Sequence, residues 1–456
     1  MLKRKAEKKL DEWLKKDDAL LILGARQVGK SYLVREWGKA HFKSFIEINL
    51  YEKPSWIPVI EEAKGADDLL FRITSLGEGE LIEGDTLIFF DEIQYAKKAD
   101  LITLSKFLVQ KGKYRYIFSG SMLGVSLNEN TTSWPTGYME EFSMYPLDFE
   151  EFLRAVGLGE ELFPYLRDCF EKERQVDKQI HESLIDAFYK YLLIGGMPEA
   201  VQQFIAYNDM NRVNEVHAKI DDYYKKDITK YAPVEQRVHL ETIYKVLPQE
   251  LNSKSKRFTL GEVGRGRETS DIQDDFMWLK KAAVAIPTCN VDEPKIPLAI
   301  AAKSRLVKLF HCDVGMLSHS LMDTDIQLKL LAKEKSINYG AIFENAIAEE
   351  FTAHGFEDLH YYSSKKQGEV DFLVEYKGSL LPIEVKSGKD YKRHSALNNL
   401  LANQGYEIEG AVVFSNANVE REGKILYLPI YMAMFFEKNK PLNAKVSLDL
   451  SNLKLA

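Results

Sequence analysis

The sequence predicts an α/β protein built on a parallel sheet, followed by a mainly helical stretch and a second, smaller α/β unit. Three observations predict it. Over the first third of the chain, short apolar runs that read as buried strands alternate with helical periodicity. The first of these runs leads straight into a glycine-rich loop and a helix. Towards the other end, two short apolar strands each carry an acid. Strands alternating with helices give a parallel sheet covered on both faces, with ligands at the strands' carboxyl ends.

The first strand is Ala19-Leu20-Leu21-Ile22-Leu23. It runs into Gly24-Ala25-Arg26-Gln27-Val28-Gly29-Lys30-Ser31, which fits the phosphate-binding pattern G-x-x-x-x-G-K-[ST]. Tyr32 to Lys39 reads as the helix that follows. The glycines let the backbone wrap a phosphate with its N–H groups, and the helix N-terminus adds positive potential there. Lys30 is expected to reach the β- and γ-phosphates, and the Ser31 hydroxyl to ligate Mg²⁺. Thr86 to Phe90 is a second apolar strand, ending in Asp91-Glu92. With the phosphate loop upstream, it reads as a Walker B motif. Asp91 would hold Mg²⁺ and Glu92 would orient the attacking water. Tyr114 to Phe118 is a further strand, ending in Ser119-Gly120-Ser121, where Ser119 or Ser121 would contact the γ-phosphate or the water. Phe45 to Asn49 supplies one more strand, and Leu101, Leu104 and Leu108 mark a helix between strands. ATP and Mg²⁺ are the expected cofactors.

At 456 residues the chain is too long for one core, so two to four domains are expected. It is 45% hydrophobic and 29% charged, ordinary for a globular protein. The apolar stretches are short, Leu428 to Phe436 for example, so no membrane span is expected. The basic start Met1-Leu2-Lys3-Arg4-Lys5 lacks the apolar core of a signal peptide and continues as an amphipathic helix through Leu10, Trp13 and Leu14. Cys169, Cys289 and Cys312 are far apart and lack metal-ligand spacing, which points to a reduced, cytoplasmic protein. The net charge of −8 restricts any nucleic-acid contact to a local patch.

From about 148 to 230 the pattern is helical, with Phe149, Phe152, Leu153 and then Ile185, Phe188, Tyr189, Leu192, until Gly195-Gly196 and Pro198 break it. This reads as a helical lid. Lys225, Lys226 and Lys230 interleave with acids and read as a solvated face. Residues 231 to 325 read as a winged-helix-like unit, with Phe258 to Val263, a glycine-rich turn, and a helix from Ser270 to Ala283. A DNA-reading helix needs basic or amide side chains at its N-terminal end. This one carries Glu268, Asp271, Asp274 and Asp275, so a structural or protein-contact role is the leading expectation. Lys254, Lys256, Arg257, Arg265 and Arg267 nearby could still touch a backbone.

The second chemically loaded region is Gly368-Glu369-Val370-Asp371-Phe372, then Leu381-Pro382-Ile383-Glu384-Val385-Lys386. Alternation puts Glu384 and Lys386 on the same side of one strand. If Glu369 to Val374 and Leu380 to Val385 form a hairpin, Asp371 meets them. Upstream, Ile342-Phe343-Glu344-Asn345 begins a helix, and Glu344 can add a third carboxylate. Such a set can hold Mg²⁺ against a phosphodiester and activate water. Lys365, Lys366, Lys389, Lys392 and Arg393 flank the acids, and His394 is a candidate extra phosphate contact.

The succession of Lys3-Arg4-Lys5 through Leu14, GARQVGKS, FDEIQ, SGSML, Met144 to Leu153 (MYPLDFEEFL), Leu193 to Glu199 (LIGGMPE) and Asp227-Ile228-Thr229-Lys230 resembles the AAA-type ATP-binding proteins of bacteria and archaea whose C-terminal half is a domain of unknown function. The resemblance covers nearly the whole chain. It departs at Gly137-Tyr138, where many relatives have Gly-Arg. Without that arginine a finger supplied in trans is in doubt, and slow hydrolysis or a nucleotide-gated switch is the better expectation. The C-terminal set resembles the restriction-endonuclease-like PD-(D/E)xK superfamily, closest to its junction-resolvase-like branch. By that resemblance Glu344, Asp371 and Glu384 would be metal ligands, and Lys386 would orient or deprotonate the water.

The expected division is a P-loop core at 1–147, a helical lid at 148–230, the winged-helix-like unit at 231–325, a nuclease-like domain at 335–440 and a tail at 441–456. The leading functional expectation is an ATP-binding, slowly hydrolysing protein whose nucleotide state controls a nuclease-like domain acting on DNA or RNA. The alternatives are a non-cutting switch that docks a protein or nucleic acid, and a chaperone-like or signalling ATPase. An oligomer is allowed but not required.

Overall fold

The computed structural model describes residues 2–76, 79–96, 101–121, 135–253, 269–334 and 339–438, with the backbone alone at 121, 269–271 and 303–306. The N-terminal sheet has five parallel strands: β1 (Ala19–Gly24), β2 (Ser44–Asn49), β3 (Thr86–Asp91), β4 (Arg115–Ser121) and β5 (Met139–Ser143). Their order is β2-β3-β4-β1-β5. The period of two sends alternate residues of β1 to opposite cores. Leu20 and Ile22 pack with Trp13, Trp37 and Ile117. Ala19, Leu21 and Leu23 pack with Ile46, Phe90 and Phe118. Both faces are buried, which is why these strands read as continuous apolar runs.

The helical stretch comprises Phe149–Ala155, Leu162–Glu171, Lys178–Ile194, Pro198–Tyr207, Met210–Tyr231 and Arg237–Leu251. The break at Gly195-Gly196 has a packing cause. The Leu147 backbone donates its N–H to the Gly196 carbonyl at 2.7 Å. A Cβ on Gly196 would lie 2.1 Å from the Leu147 oxygen, so only glycine lets the chain leave the ATPase sheet and cross here.

The second sheet has eight strands: β6 (Ala285–Val291), β7 (Ala302–His311), β8 (Leu359–Ser364), β9 (Gly368–Tyr376), β10 (Ser379–Val385), β11 (Ala411–Ser415), β12 (Glu420–Glu422) and β13 (Ile425–Pro429). Their order is β12-β13-β11-β10-β9-β8-β6-β7. A helix at Thr269–Lys281 precedes the antiparallel β6–β7 pair. That pair joins the later strands through parallel pairing of β6 with β8, Thr288 opposite Leu359. The segments 231–325 and 335–440 therefore share one sheet.

The helix Gly340–Ala353 covers one face of this sheet, packing Phe343, Ile347 and Phe351 with Phe372, Ile383 and Phe414. That core is continuous with the Leu20 side of the first sheet, by way of the Lys178–Ile194 helix. The winged-helix expectations at Phe258 to Val263 and at Lys254, Lys256, Arg257, Arg265, Arg267 and Glu268 lie outside the described residues, as does the tail 441–456. Asp275, expected among the acids displayed at the helix's N-terminal end, is buried, whereas Asp274 is exposed. The helix's apolar stripe turns the former inward. No helix among the described residues is long and apolar enough to cross a membrane.

Candidate functional site

The phosphate loop keeps its curl through three left-handed residues: Gly24 (φ 152°), Gln27 (φ 66°) and Gly29 (φ 93°). A Cβ on Gly24 would sit 2.3 Å from the Met144 carbonyl oxygen, so the first glycine is fixed by close approach as well as by φ. Gly29 caps the helix Lys30–His41, as the spacing requires. Ala25 and Val28 are buried beneath the loop. The Lys30 ammonium is buried and donates to the carbonyls of Gly24 (3.0 Å) and Ala25 (2.8 Å). Burial holds its pKa below the usual lysine value, with Glu92 and Asp91 pulling the other way. A buried cation held by carbonyls at a helix N-terminus suits an incoming phosphate.

β4 lies between the loop strand β1 and β3, which brings Ser119 to Asp91. Asp91 is fully buried. It accepts hydrogen bonds from the Ser119 hydroxyl, from Asn49 Nδ2 at 2.9 Å and from the Glu92 N–H at 3.0 Å. Burial pushes its pKa up, and the hydroxyls of Ser119 and Ser31 oppose that rise. Ser31 and Asp91 thus meet as oxygen donors suited to Mg²⁺. Glu92 adopts a left-handed conformation (φ 56°, ψ 47°), a costly one for a non-glycine residue and typical of functional sites. Its carboxylate accepts from Gln94 Nε2. The Ser121 backbone pairs with Gly24, while its side chain lies outside the described set.

Lys30, Ser31, Asn49, Asp91 and Glu92 line one side of a cavity of about 620 Å³. Pro198, Glu199, Gln202 and Gln203, at the start of the Pro198–Tyr207 helix, line the other. Its size is that of small-molecule and cofactor sites. Arg4, which also lines the cavity, braces the loop. It donates to Val28 O (2.9 Å) and Tyr145 O (2.7 Å) and pairs with Glu151 (3.1 Å). The basic run at the chain start was legible, but this clamping was not.

In the C-terminal set the hairpin forms and brings Asp371 to the strand that carries Glu384 and Lys386. β9 and β10 form an antiparallel hairpin, Phe372 opposite Ile383. Asp371 Oδ2 accepts the Val385 N–H at 2.8 Å, and Lys386 Nζ meets Glu384 Oε1 at 2.6 Å. Glu344, Asp371 and Glu384 are all buried. Burial and the Asp371 charge, with a smaller push from Glu344, raise the Glu384 pKa to about 8 against the pull of Lys386. Glu384 Oε2 has no hydrogen-bond partner among the described residues, which suits a cation. His394, expected as a candidate extra phosphate contact, is buried and bonded to Tyr427 Oη (2.8 Å) and Asn398 (3.0 Å). Lys392 is tied to Glu420 and Glu422, and Lys225 and Lys226 to Asp221 and Asp222.

A third cluster joins the two halves of the chain. Lys5 Nζ lies 2.7 Å from both Asp148 and Glu150. His354 Nε2 lies 3.1 Å from Asp148, and its Nδ1 lies 2.9 Å from the Phe436 carbonyl. Nδ1 faces an acceptor, and Nε2 lies between the Asp148 carboxylate and the Lys5 ammonium, which is 3.4 Å away. Its pKa is raised by Asp148 and Glu350 against burial and the Lys5 charge. Asp148, Glu350 and His354 offer ligand atoms within 4.8 Å of one another. The Lys5 ammonium, 2.7 Å from Asp148 and 3.4 Å from His354 Nε2, already supplies a cation to this group.

Glu350 accepts the Phe149 N–H at 3.1 Å and is raised from 4.5 to about 7, chiefly by burial. The signs add. His354, raised, contributes stability below its ordinary pKa that is lost as pH rises through its folded value. Glu350 resists ionisation in the fold, so it too costs stability as pH climbs from 4.5 through about 7. Melting of the wild type should therefore fall across that window more steeply than melting of Glu350→Gln. Parallel curves would remove Glu350 from the effect.

Loop, acid pair and cavity define a P-loop nucleotide-binding domain. Residues 16–153 match the AAA domain family, and the N-terminal region of the chain is an AAA-type P-loop ATPase domain. Residues 185–327 and 339–432 match two domains of unknown function, DUF8612 and DUF4143. Similar solved structures include the Walker-type ATPase of Pyrococcus abyssi, 16% identical over 71% of this chain and 96% of that one, at a TM-score of 0.43. They also include the Orc1 protein of Aeropyrum pernix in complex with DNA, 12% identical over 73% of this chain and 93% of that one, at a TM-score of 0.28. No curated protein matches the sequence.

Proposed function

We propose that this chain binds ATP with Mg²⁺ in the cavity beside Lys30, hydrolyses it slowly, and uses the nucleotide state to control a nuclease-like C-terminal unit acting on nucleic acid. The observation that carries the reading is the buried Lys30 ammonium, held by loop carbonyls next to Ser31 and Asp91. Lys30 would exchange those carbonyls for the β- and γ-phosphates. Ser31 and Asp91 would hold Mg²⁺, which neutralises charge on the phosphates. Glu92 would orient the attacking water, with Ser119 and Ser121 at the γ-phosphate end. Closing of the Pro198–Tyr207 helix over the cavity would pull on Gly196 and Leu147, and through Asp148 on the C-terminal cluster. The lack of arginine at Gly137-Tyr138 supports slow turnover.

In the C-terminal unit, Glu344, Asp371 and Glu384 would hold a divalent cation, and Lys386 would orient or deprotonate the water. The orphaned Glu384 Oε2 supports this. Cutting of DNA or RNA with Mg²⁺ or Mn²⁺ should disappear in Lys386→Ala and persist at some level in Lys30→Ala. A second reading, a switch whose C-terminal fold docks a partner without cutting, is favoured by one observation. Among the described residues, Glu344, Asp371 and Glu384 do not form a group with ligand atoms within 4.8 Å of one another. An intact protein that cuts nothing with either metal decides for the switch, and a salt-sensitive mobility shift with short duplexes then tells a nucleic-acid partner from a protein.

A further inference from the structure

The loop side chain that points to a further role is Arg26. Lys30 Nζ, which marks where the phosphates must come, rests on the carbonyls of Gly24 and Ala25. Arg26 is the next residue, and its side chain lines the same cavity as Lys30, Asp91 and Glu92. It does not face solvent freely. Its Nε pairs at 2.5 Å with Asp227 on the Met210–Tyr231 helix, and the two side chains are only 18% and 15% exposed. Nη2 lies 3.4 Å from Tyr95 Oη, and Lys230 sits over the Tyr95 ring at 4.3 Å. The same helix also reaches the loop through Tyr224, whose hydroxyl donates to the Arg26 carbonyl at 3.3 Å.

The other arginines that line the cavity are committed elsewhere. Arg4 is used up on Val28, Tyr145 and Glu151, and Arg35 is bound through two nitrogens to Glu47. Arg35 is locked by a two-nitrogen fork to Glu47 on β2, whereas Arg26 belongs to the loop itself, next to the Gly24 and Ala25 carbonyls that hold Lys30, and no bond is described for its Nη1. A guanidinium there meets charge that develops on the transferring phosphoryl group.

We propose that Arg26 is the charge-stabilising catalytic arginine of this site, supplied in cis by the phosphate loop itself, with Asp227 as the residue that positions it. This rests on the ATP-hydrolysing reading above. It removes the need for the arginine missing at Gly137-Tyr138. It also couples the site to the rest of the fold. When Arg26 turns to the nucleotide, Asp227 loses a buried counter-charge, and the Met210–Tyr231 helix must shift or recruit Lys230.

The test is single-turnover ATP hydrolysis and ATP binding by the full chain. Arg26→Ala should lower kcat by about a thousandfold, the low end of an arginine finger's contribution, with ATP affinity falling less than about tenfold. Added guanidinium ion should restore part of the rate in Arg26→Ala and none in Glu92→Gln. Asp227→Asn should slow turnover about tenfold with ATP affinity unchanged, because it leaves Arg26 present but unheld. Should Arg26→Ala melt early, Arg26→Lys serves in its place, with the same split between rate and affinity. Turnover in the arginine variants within about threefold of wild type overturns the inference, as does an equal loss of rate and affinity. A wild type that binds ATP but never hydrolyses it is a different failure, and it removes the ATPase reading underneath.

Discussion

Lys30→Ala should lose ATP binding, and Glu92→Gln should bind ATP normally while its turnover collapses. The two outcomes separate the two halves of the site. Lys30 is a buried cation with loop carbonyls for partners, so its loss removes the positive charge that a triphosphate would meet at the loop. Truncating one partner of a buried charge pair costs about 2–5 kcal/mol, or roughly thirty- to several-thousandfold in affinity. Glu92 acts on the loop through its charge, its carboxylate is bonded to Gln94, and it lines the cavity from the end of β3. Glutamine keeps its size and its link to Gln94 but cannot accept a proton, and general-base contributions run to about 10²–10⁴. Isothermal binding beside phosphate release reads both variants. Unchanged turnover in Glu92→Gln would mean that Asp91-Glu92 is only a strand end.

Asp148→Ala should destabilise the chain by about 3–5 kcal/mol, as removal of one member of a buried ion-pair network does. Asp148 does three things at once. Its carboxylate caps the Phe149–Ala155 helix by accepting the Glu151 N–H at 2.8 Å. It anchors Lys5 of the N-terminal segment and holds the His354 ring at the end of the Gly340–Ala353 helix. The cap alone accounts for about 1 kcal/mol. The rest comes from stranding the Lys5 ammonium and the His354 ring without their carboxylate partner. Asp222→Ala is the control, because its partner Lys226 is 67% exposed and such pairs contribute about 0–1 kcal/mol. Equal effects of the two substitutions on the unfolding midpoint would mean that the cluster holds nothing together.

The nucleotide half was legible because its signals are local. Buried parallel strands leave continuous apolar runs, and the loop at Gly24–Ser31 needs glycine and lysine at fixed spacing. β5 was not legible: it is an edge strand reading Met-Glu-Glu-Phe-Ser, with no apolar run to mark it. Pairings across long stretches were equally hidden. Arg26 and Asp227 stand 201 positions apart, and nothing in either neighbourhood announces the other. The acids of the second site could be placed on a hairpin, because alternation and a short turn suffice. Their burial, and that of His394, depends on which faces the Gly340–Ala353 and Ser395–Ala402 helices cover, which no local pattern encodes.

The ladder between β6 and β8 has a practical consequence. A chain severed between residues 327 and 339, where the two matched regions of unknown function meet, would leave β6 and β7 on one piece and β8 on the other. Each piece would carry a bare strand edge, along which four residue pairs, Thr288–Leu359 to Val291–Tyr362, are now joined. Open edges of that kind recruit strands from other molecules. The halves should be aggregation-prone when expressed apart and should complement each other when expressed together, a split protein defined by its backbone rather than by its sequence families.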